Sequence, residues 1–338
     1  EGACVYNNQE VAPIQIGRLQ NFATKAMIDS SKHLYKPGKE NGKNVAIIGA
    51  GPAGIACACE LRTLGYEVDI FEAKSEPSGL VIYGNAPYKI TNEEVIQEVE
   101  YLQEQLGFKI NYNSAINLKD EIRDLESKYD AIFLGVGLGA TAYRNIPGEN
   151  LQGVIGAVEF IEGLKMNHFK TTVGDNVIVL GGGNTAMDAA SESARMGATS
   201  VVLAYRGSKE NMGAYDFEYE LALGAGVKGV FDASPIEIIG KEQVEAVKFA
   251  KANGETFMLN ADMVIKATGQ AKQAPFYALI DDLELESDTR IKVNSNNNQT
   301  TNEKYFAGGD AINGGAEVVN GAYDGKLAAQ GIHNWLMK

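Results

Sequence analysis

Short apolar runs, separated by longer stretches of mixed polarity, form the dominant pattern of this chain. Five of these runs end in glycine or in Gly-Gly-Asp, and they span 44–49, 129–135, 175–181, 262–269 and 304–310. A continuous apolar run of this length, bounded by glycine, is typical of a buried strand in a parallel sheet. The mixed stretches between the runs predict helices, so we expect an α/β fold.

Two parts of the chain repeat the order strand, glycine turn, helix, strand. A strand at 44–49, a helix ending near Gly65 and a strand at 67–72 form the first set, and residues 175–205 repeat the order. Each set is a βαβ unit, which places two parallel strands side by side with a helix across them. The sequence therefore predicts two such units, about 130 residues apart.

Composition limits the partners of the chain. Its 338 residues carry a formal charge of −14, which argues against recognition of nucleic acid or of an anionic membrane surface by clustered Lys and Arg. No apolar stretch approaches the roughly 18 residues that span a bilayer. The three cysteines form no disulfide framework, which favours a reducing cytoplasm. The 38 glycines indicate close approach of backbone to a ligand.

The first glycine turn carries the fingerprint of a dinucleotide site. Gly49, Gly51 and Gly54 have G-x-G-x-x-G spacing, directly after a predicted strand and at the start of a helix. Gly49 allows the tight turn, Gly51 lets backbone approach a pyrophosphate, and Gly54 lets helix and strand pack closely. Glu72 ends the next strand, where a carboxylate accepts hydrogen bonds from a ribose. The alternative is a tight turn that binds nothing.

The second glycine turn differs from the first in the charge that follows it. Gly181, Gly183 and Ala186 repeat the fingerprint, with alanine as the permitted third residue. At the end of the next strand stands Arg206, with Lys209 nearby. A cation there suits the 2′-phosphate of NADPH, so we expect NADPH, with NADH less favoured. The alternative is that Arg206 is a solvated surface residue.

Two dinucleotide sites in one chain predict hydride transfer between two cofactors. If one cofactor is FAD and the other NADPH, the reaction requires orientation of two rings more than acid–base side chains. His33, His168 and His333 lie in unrelated segments and belong to no visible nucleophile or metal motif. We therefore expect no catalytic side chain.

These motifs together resemble the flavoproteins that contain two dinucleotide-binding domains. The likeness rests on Gly49–Gly54, Glu72, Ala267–Gly269 and the late Phe306–Asp310, and it covers nearly the whole chain. It implies two Rossmann-like domains, one for FAD and one for NAD(P), with the second inserted in the first. The implied domains are residues 39–150 plus 285–338 for FAD and residues 151–284 for NAD(P)H.

The resemblance also assigns residues to each cofactor. Asp310 would reach the ribityl and pyrophosphate region of FAD, and the start of the last helix would lie against the flavin ring. The residues assigned to FAD are Gly49, Gly51, Pro52, Ala53, Gly54, Glu72, Ala73, Gly79, Leu80, Gly135, Gly137, Gly309, Asp310, Val318 and Val319. Those assigned to NADPH are Gly181, Gly183, Asn184, Thr185, Ala186, Arg206, Lys209, Ala267, Thr268 and Gly269.

The segment Ser78–Ile90 indicates a branch of that family. It is similar to a Gly-Gly-Leu…Tyr-Gly-Ile-Pro-x-Tyr-Lys-Leu segment of the glutamate synthase small subunit and of the related half of dihydropyrimidine dehydrogenase. Thioredoxin reductases carry a redox cysteine pair, and this chain has none. The chain departs from the branch at Ser78, which replaces Gly, at Asn85-Ala86, which replaces Ile-Pro, and at Gly207, where relatives often have a second Arg.

The first residues resemble the end of an iron–sulfur domain. Relatives in this group carry two four-iron clusters before the flavin domain, and Cys4 matches their last cysteine. Gln20 lies in an Ile-Gly-x-Leu-Gln segment, where the dihydropyrimidine dehydrogenase branch has an unusual Gln ligand and the glutamate synthase branch an acid. Residues 1–38 would then be the remnant of that domain with its linker. One Cys and one Gln cannot hold a cluster alone, so both would be ligands only in an intact parent. The alternative is a surface thiol and a helix-packing Gln.

The resemblance implies a flavoprotein that passes electrons from NADPH through FAD to iron–sulfur clusters and a partner. The partner would be an FMN-containing, pyrimidine-reducing domain or chain that acts on uracil or thymine, as in dihydropyrimidine dehydrogenase. One alternative is the small subunit of glutamate synthase, with the large subunit as partner. Two others remain: a non-catalytic flavin-binding scaffold, and a flavin reductase that acts on a diffusible acceptor.

Overall fold

A computed structural model of the chain describes residues 4–8, 13–168 and 170–338. The α-helices of these residues are α1 (Ile16–Asp29), α2 (Pro52–Thr63), α3 (Leu80–Tyr83), α4 (Asn92–Leu106), α5 (Lys119–Lys128), α6 (Ala157–Met166), α7 (Asn184–Arg195), α8 (Asp216–Gly224), α9 (Ala274–Tyr277), α10 (Asp310–Asn313) and α11 (Val318–Leu336). The strands are β1 (Asn44–Ile48), β2 (Glu67–Phe71), β3 (Lys109–Asn111), β4 (Ala131–Leu134), β5 (Val154–Gly156), β6 (Asn176–Leu180), β7 (Ser200–Ala204), β8 (Lys228–Val230), β9 (Ser234–Gly240), β10 (Val244–Ala250), β11 (Thr256–Asn260), β12 (Met263–Lys266) and β13 (Tyr305–Ala307).

The first sheet has five strands in the order β13-β4-β1-β2-β3, and every neighbouring pair is parallel. Successive side chains of a strand point to opposite faces of a sheet. Helices cover both faces of this one. Ile47 of β1 packs in one apolar cluster with Ala58 of α2 and Ala328 of α11. Its neighbour Ile48 packs in another cluster with Ile122 of α5. Both faces of β1 are therefore buried, as its continuous apolar run predicts.

The second sheet repeats this architecture. Its order is β5-β12-β6-β7-β8, and all of its neighbours are parallel. The βαβ unit predicted over residues 175–205 consists of β6, α7 and β7, and the apolar run predicted as a strand at 262–269 contains β12.

A third sheet was not apparent from the sequence pattern. Strands β9, β10 and β11 form an antiparallel sheet in the order β11-β10-β9. Val247 and Phe249 of β10 are fully buried, in one cluster with Ile178 and Leu180 of β6. This small sheet therefore packs on the second parallel sheet.

Strand β13 returns to the first sheet after the chain has formed the second and third sheets. The second unit is therefore inserted in the first, and the predicted fold class is confirmed. The boundaries between 150 and 151 and between 284 and 285 stay predictions. None of the described helices combines the length and the apolar character required to cross a bilayer.

Candidate functional site

The first glycine turn lies at the carboxyl end of β1, between β1 and α2. Gly49 has φ of +102°, and a side chain there would come within 2.5 Å of the Gly135 carbonyl oxygen. A side chain at Gly54 would collide with the Gly49 carbonyl oxygen. Both positions therefore require glycine for packing, and each keeps the turn close to the neighbouring backbone.

Gly51 behaves differently from these two glycines, because its open side faces space rather than protein. The nearest heavy atom to a Cβ placed on Gly51 is the Gly135 carbonyl oxygen at 3.9 Å. A Cβ on Gly79 would lie 3.4 Å from the Gly51 Cα, and one on Gly137 would meet nothing within 4 Å. An open backbone edge at the start of a helix fits a pyrophosphate, which binds through N–H groups.

Glu72 follows the last residue of β2 and is 8% exposed. Its Oε2 accepts a hydrogen bond of 2.7 Å from the Ala50 N–H, and its Oε1 accepts one of 2.8 Å from the Lys74 N–H. These bonds orient the carboxylate beside the glycine turn. Since a carboxylate has about four acceptor sites, two remain for a ribose diol. The ribose role of Glu72, and the role of the exposed Ala73, stay predictions.

The Gly-Gly-Asp motif forms a second turn next to the first, since a Cβ on Gly309 would lie 3.1 Å from Cβ of Ala53. Gly309 has φ of +69°. Asp310 begins α10, and its Oδ1 accepts a hydrogen bond of 3.2 Å from the Ala316 N–H. Burial raises the pKa of Asp310. Val318 and Val319 begin α11 and are 47% and 71% exposed, so a ligand can reach them. Their contact with a flavin ring stays a prediction.

Asp324 of α11 holds this turn, although no motif of the sequence predicted a role for it. Its Oδ2 accepts hydrogen bonds from the Gly309 N–H at 3.0 Å and from Nδ2 of Asn313 at 3.3 Å. A side chain at Gly325 would collide with the Ala53 carbonyl oxygen, so α11 lies very close to α2. Asp324 is the one acid of α11 and stands directly before Gly325, which was the signal that could have identified it.

The second glycine turn repeats this division between packed and open glycines. A Cβ on Gly181 would lie 2.5 Å from the Ala267 carbonyl oxygen, whereas one on Gly183 would meet nothing within 4 Å. The Oγ1 of Thr268 is buried and has no hydrogen-bond partner among the described residues. An open glycine and an unpaired buried hydroxyl fit the predicted dinucleotide, since buried polar groups need partners. Asn184, Thr185 and Ala186 form the first turn of α7.

The cations predicted for the 2′-phosphate lie beyond the end of β7. Arg206 is exposed, and Nζ of Lys209 lies 5.3 Å from the centroid of the Tyr219 ring. The Tyr205 ring explains one departure from the relatives. A Cβ on Gly207 would come within 2.9 Å of that ring, and one on Gly182 within 2.5 Å. The ring thus occupies the space beside both glycines. The role of Arg206 as the cation that binds the 2′-phosphate stays a prediction.

The cysteines differ from those of a redox pair. Cys57 is fully buried, and burial raises its pKa well above the usual value. Burial raises the pKa of Cys59 to about 12. The reactive thiolate form is therefore disfavoured at both positions.

Cys4 precedes a short 3-10 helix over Val5–Asn8, and Gln20 is exposed on α1. Within residues 4–8, 13–168 and 170–338, no group of three or more His, Cys, Asp or Glu side chains is arranged to hold a metal. The ligand roles of Cys4 and Gln20 in an intact parent stay predictions.

Two open glycine turns, each at the carboxyl end of a parallel strand, define a protein with two dinucleotide sites. Comparison with known proteins agrees with this class. The sequence model of the pyridine nucleotide-disulphide oxidoreductase family matches residues 29–325. The chain is 33% identical to the glutamate synthase [NADPH] small chain of Escherichia coli K12, over 99% of this chain and 78% of that protein. It is 30% identical to the NAD-dependent dihydropyrimidine dehydrogenase subunit PreT of the same strain, over 96% and 76%.

Among solved structures, FprA of Mycobacterium tuberculosis in complex with NADPH has a similar fold. The TM-score is 0.73 with 20% identity, over 87% of this chain and 84% of that one. The chain belongs to the pyridine nucleotide-disulphide oxidoreductase family. It is an FAD-containing, NAD(P)H-dependent oxidoreductase of the group that includes the glutamate synthase small subunit and PreT.

Proposed function

We propose that the chain oxidises NADPH and delivers the electrons, through FAD, to iron–sulfur clusters and a partner that reduces uracil or thymine. It would be the electron-entry part of a dihydropyrimidine dehydrogenase, acting in the cytoplasm. Bound FAD supplies the step from hydride chemistry to single-electron chemistry. The residues of this chain would bind and orient the two dinucleotides.

The observation that carries the proposal is the pair of open glycines, Gly51 and Gly183. Each lies directly before a helix, at α2 and at α7, where free N–H groups and the helix dipole favour phosphate. A family member that used a dithiol would need reactive cysteines. Cys57 is buried, Cys59 is partly buried, and burial disfavours the thiolate of both, which supports electron transfer to another acceptor.

The pyrimidine branch is favoured by Gln20, which stands in the Ile-Gly-x-Leu-Gln segment. The small subunit of glutamate synthase is the second candidate, favoured by the 33% identity over 99% of the chain. Both candidates share the same electron entry and differ in the partner. Reconstitution of the intact parent, with its iron–sulfur clusters, separates them, because the reduced protein should support pyrimidine reduction with one partner or glutamate formation with the other.

Anaerobic stopped-flow absorbance tests electron entry directly. NADPH should bleach the flavin bands at a concentration at least tenfold lower than NADH, and Arg206→Ala should remove that preference by weakening NADPH alone. Bleaching by NADH at equal or lower concentration would contradict the 2′-phosphate role of Arg206 and leave the two-site proposal intact.

Two matched glycine variants assign the sites. Gly51→Ala adds a methyl group to the open edge of the first turn and should lower FAD content. Gly183→Ala adds the same group to the second turn and should keep FAD while raising the NADPH concentration needed for bleaching. If each variant had the effect expected of the other, the assignment of cofactors to the two units would be reversed. A chain that holds FAD but is bleached by neither nucleotide would be the non-catalytic scaffold.

A further inference from the structure

A segment that begins at the first glycine turn ends inside the second unit. The Ser78 N–H donates a hydrogen bond of 2.6 Å to the Ala50 carbonyl oxygen, within the first glycine turn. Eight residues later, Ala86 is fully buried in the apolar cluster that includes Ala186 and Ala190 of α7. Residues 78–89 (the connecting segment) therefore link the two turns. The segment is hydrogen-bonded to the first turn near its start and packs against α7 near its end.

Lys89, at the end of the connecting segment, pairs with two buried carboxylates of the second unit. Its Nζ lies 2.8 Å from Oδ1 of Asp188 and 2.8 Å from Oε1 of Glu218. Asp188 is 4% exposed and Glu218 is 5% exposed. The Tyr88 hydroxyl donates a hydrogen bond of 2.8 Å to the same Oδ1 of Asp188.

The other cation of this cluster, Arg195, is paired with Glu192 and does not replace Lys89 as the partner of Asp188 and Glu218. Glu192 is 4% exposed and lies 3.1 Å from the Arg195 guanidinium, which stacks 4.1 Å from the centroid of the Tyr88 ring. Oε2 of Glu218 is buried and has no hydrogen-bond partner in the part of the chain that the structure describes. Removal of Lys89 would therefore leave Asp188 and Glu218 buried without their cation, and unpaired buried charge is strongly unfavourable.

Both carboxylates belong to elements that hold the second glycine turn. Asp188 lies one helical turn after Asn184, at the start of α7. Glu218 lies in α8, directly after a stretch bonded to that turn. In this stretch the Ala214 N–H donates to the Gly182 carbonyl oxygen at 3.0 Å, and the Tyr215 N–H donates to Oδ1 of Asn184 at 3.0 Å.

We infer that Lys89 is a positioning residue for hydride transfer: through Asp188 and Glu218 it fixes the second glycine turn relative to the first. The inference rests on the proposed function, in which each turn holds one dinucleotide. Hydride transfer requires the two reacting atoms in near contact, and a displacement of about 1 Å can cost roughly a hundredfold in rate. The ion pairs of the Lys89 side chain are with these two carboxylates, so it acts on the second turn through them.

The experiment compares the limiting rate of flavin bleaching at saturating NADPH with the NADPH dissociation constant and the FAD content. Lys89→Met should lower the limiting rate about tenfold or more, with FAD content unchanged and the dissociation constant changed by no more than about threefold. Lys89→Arg keeps charge and donors and should recover most of the rate. Lys119→Met, which removes the exposed pair with Asp281, is the matched control and should bleach like the parent chain.

A triple variant separates positioning from folding. Lys89→Met combined with Asp188→Asn and Glu218→Gln removes the link without leaving a buried charge, so thermal stability should return towards that of the parent chain while bleaching stays slow. If Lys89→Met bleaches within about twofold of the parent rate, or if the triple variant recovers stability and rate together, Lys89 only stabilises the fold and the inference is wrong. If the parent chain itself is not bleached by NADPH or NADH, the proposed function fails instead.

Discussion

The hydroxyl of Tyr215 donates a hydrogen bond of 3.0 Å to Oε1 of Glu317. Tyr215 precedes α8 of the second unit, and Glu317 is the N-cap residue of α11, which packs on the first sheet. The contact therefore joins the two units on the exposed side, while Lys89 joins them in the interior. It exists only while the two units keep the described arrangement.

The ionisation of Tyr215 reports on that arrangement. The hydrogen bond to Glu317, and then the charge of that carboxylate, raise the pKa of Tyr215 above its usual value. Glu317→Gln removes the charge, so the Tyr215 phenol should ionise at lower pH in that variant. The pKa of Tyr215 is measured as the difference between the absorbance titrations of each chain and its Tyr215→Phe counterpart. An identical Tyr215 pKa with and without the Glu317 carboxylate would show that the units separate in solution.

Substitution by alanine should affect folding at one of two neighbouring glycines and FAD binding at the other. Gly54→Ala places a methyl group against the Gly49 carbonyl oxygen and 3.2 Å from Cγ2 of Ile47, so it should lower the free energy of unfolding by about 1–3 kcal/mol. Gly51→Ala meets no atom closer than 3.9 Å, so the stability of the FAD-free chain should change by less than about 0.5 kcal/mol.

Denaturant unfolding of the FAD-free chains measures the free energy of unfolding, and titration with FAD measures the affinity for FAD. Gly51→Ala should weaken FAD binding by about tenfold or more, because the open backbone edge is where the pyrophosphate is predicted to lie. Full FAD affinity in a stable Gly51→Ala chain would show that the pyrophosphate lies elsewhere.

The sequence predicts the central strands of the two parallel sheets, because β1, β4, β6, β12 and β13 are short apolar runs that end at a glycine motif, whereas the three-residue strands β3, β5 and β8 were not predicted. It does not predict the antiparallel sheet, whose strand β11 is exposed on alternate residues and only partly buried on the others. Such a short strand resembles a loop in a single sequence, since its burial depends on the neighbouring sheet.

The glycine turns were predictable because the requirement for glycine is local. The partners of Lys89 were not, because Asp188 and Glu218 follow it by about 100 and 130 residues and meet it only in the folded chain. Glu72 shows the intermediate case. Its position at the end of β2 follows from the spacing, whereas its bonds to the backbone of Ala50 and Lys74 do not.

Ser78 stands where relatives have glycine, and its backbone explains their choice. It has φ of +67°, in the left-handed region that disfavours residues with a Cβ, and it is 6% exposed. Ser78→Gly should therefore raise the free energy of unfolding by about 1 kcal/mol. The same change at the exposed Ser127 of α5 should lower it by roughly 0.5 kcal/mol, because glycine is a poorer helix former than serine. Equal effects at the two positions would mean that residue 78 is not strained in solution.

Lys165 of α6 is a buried ammonium without a carboxylate partner. It is 7% exposed, its Nζ donates hydrogen bonds of 3.0 Å and 3.3 Å to the carbonyl oxygens of Val81 and Ile90, and no ion pair of the described residues includes it. Burial lowers the pKa of Lys165 to about 8 from its usual 10.5, with Glu93 opposing the shift. Below about pH 8 the side chain is protonated in the folded and the unfolded chain, so its contribution to stability does not vary with pH there.

Between pH 8 and 10.5 the unfolded chain binds a proton that the folded chain has released, so this group makes stability rise with pH, by at most about 1.4 kcal/mol per pH unit. The free energy of unfolding of the parent chain minus that of Lys165→Met should therefore increase over this range, and other groups cancel in the difference. Denaturant unfolding at several pH values measures it. A flat result for Lys165→Met would show that water reaches the ammonium, and that α6 does not seal it against the carbonyl groups of Val81 and Ile90.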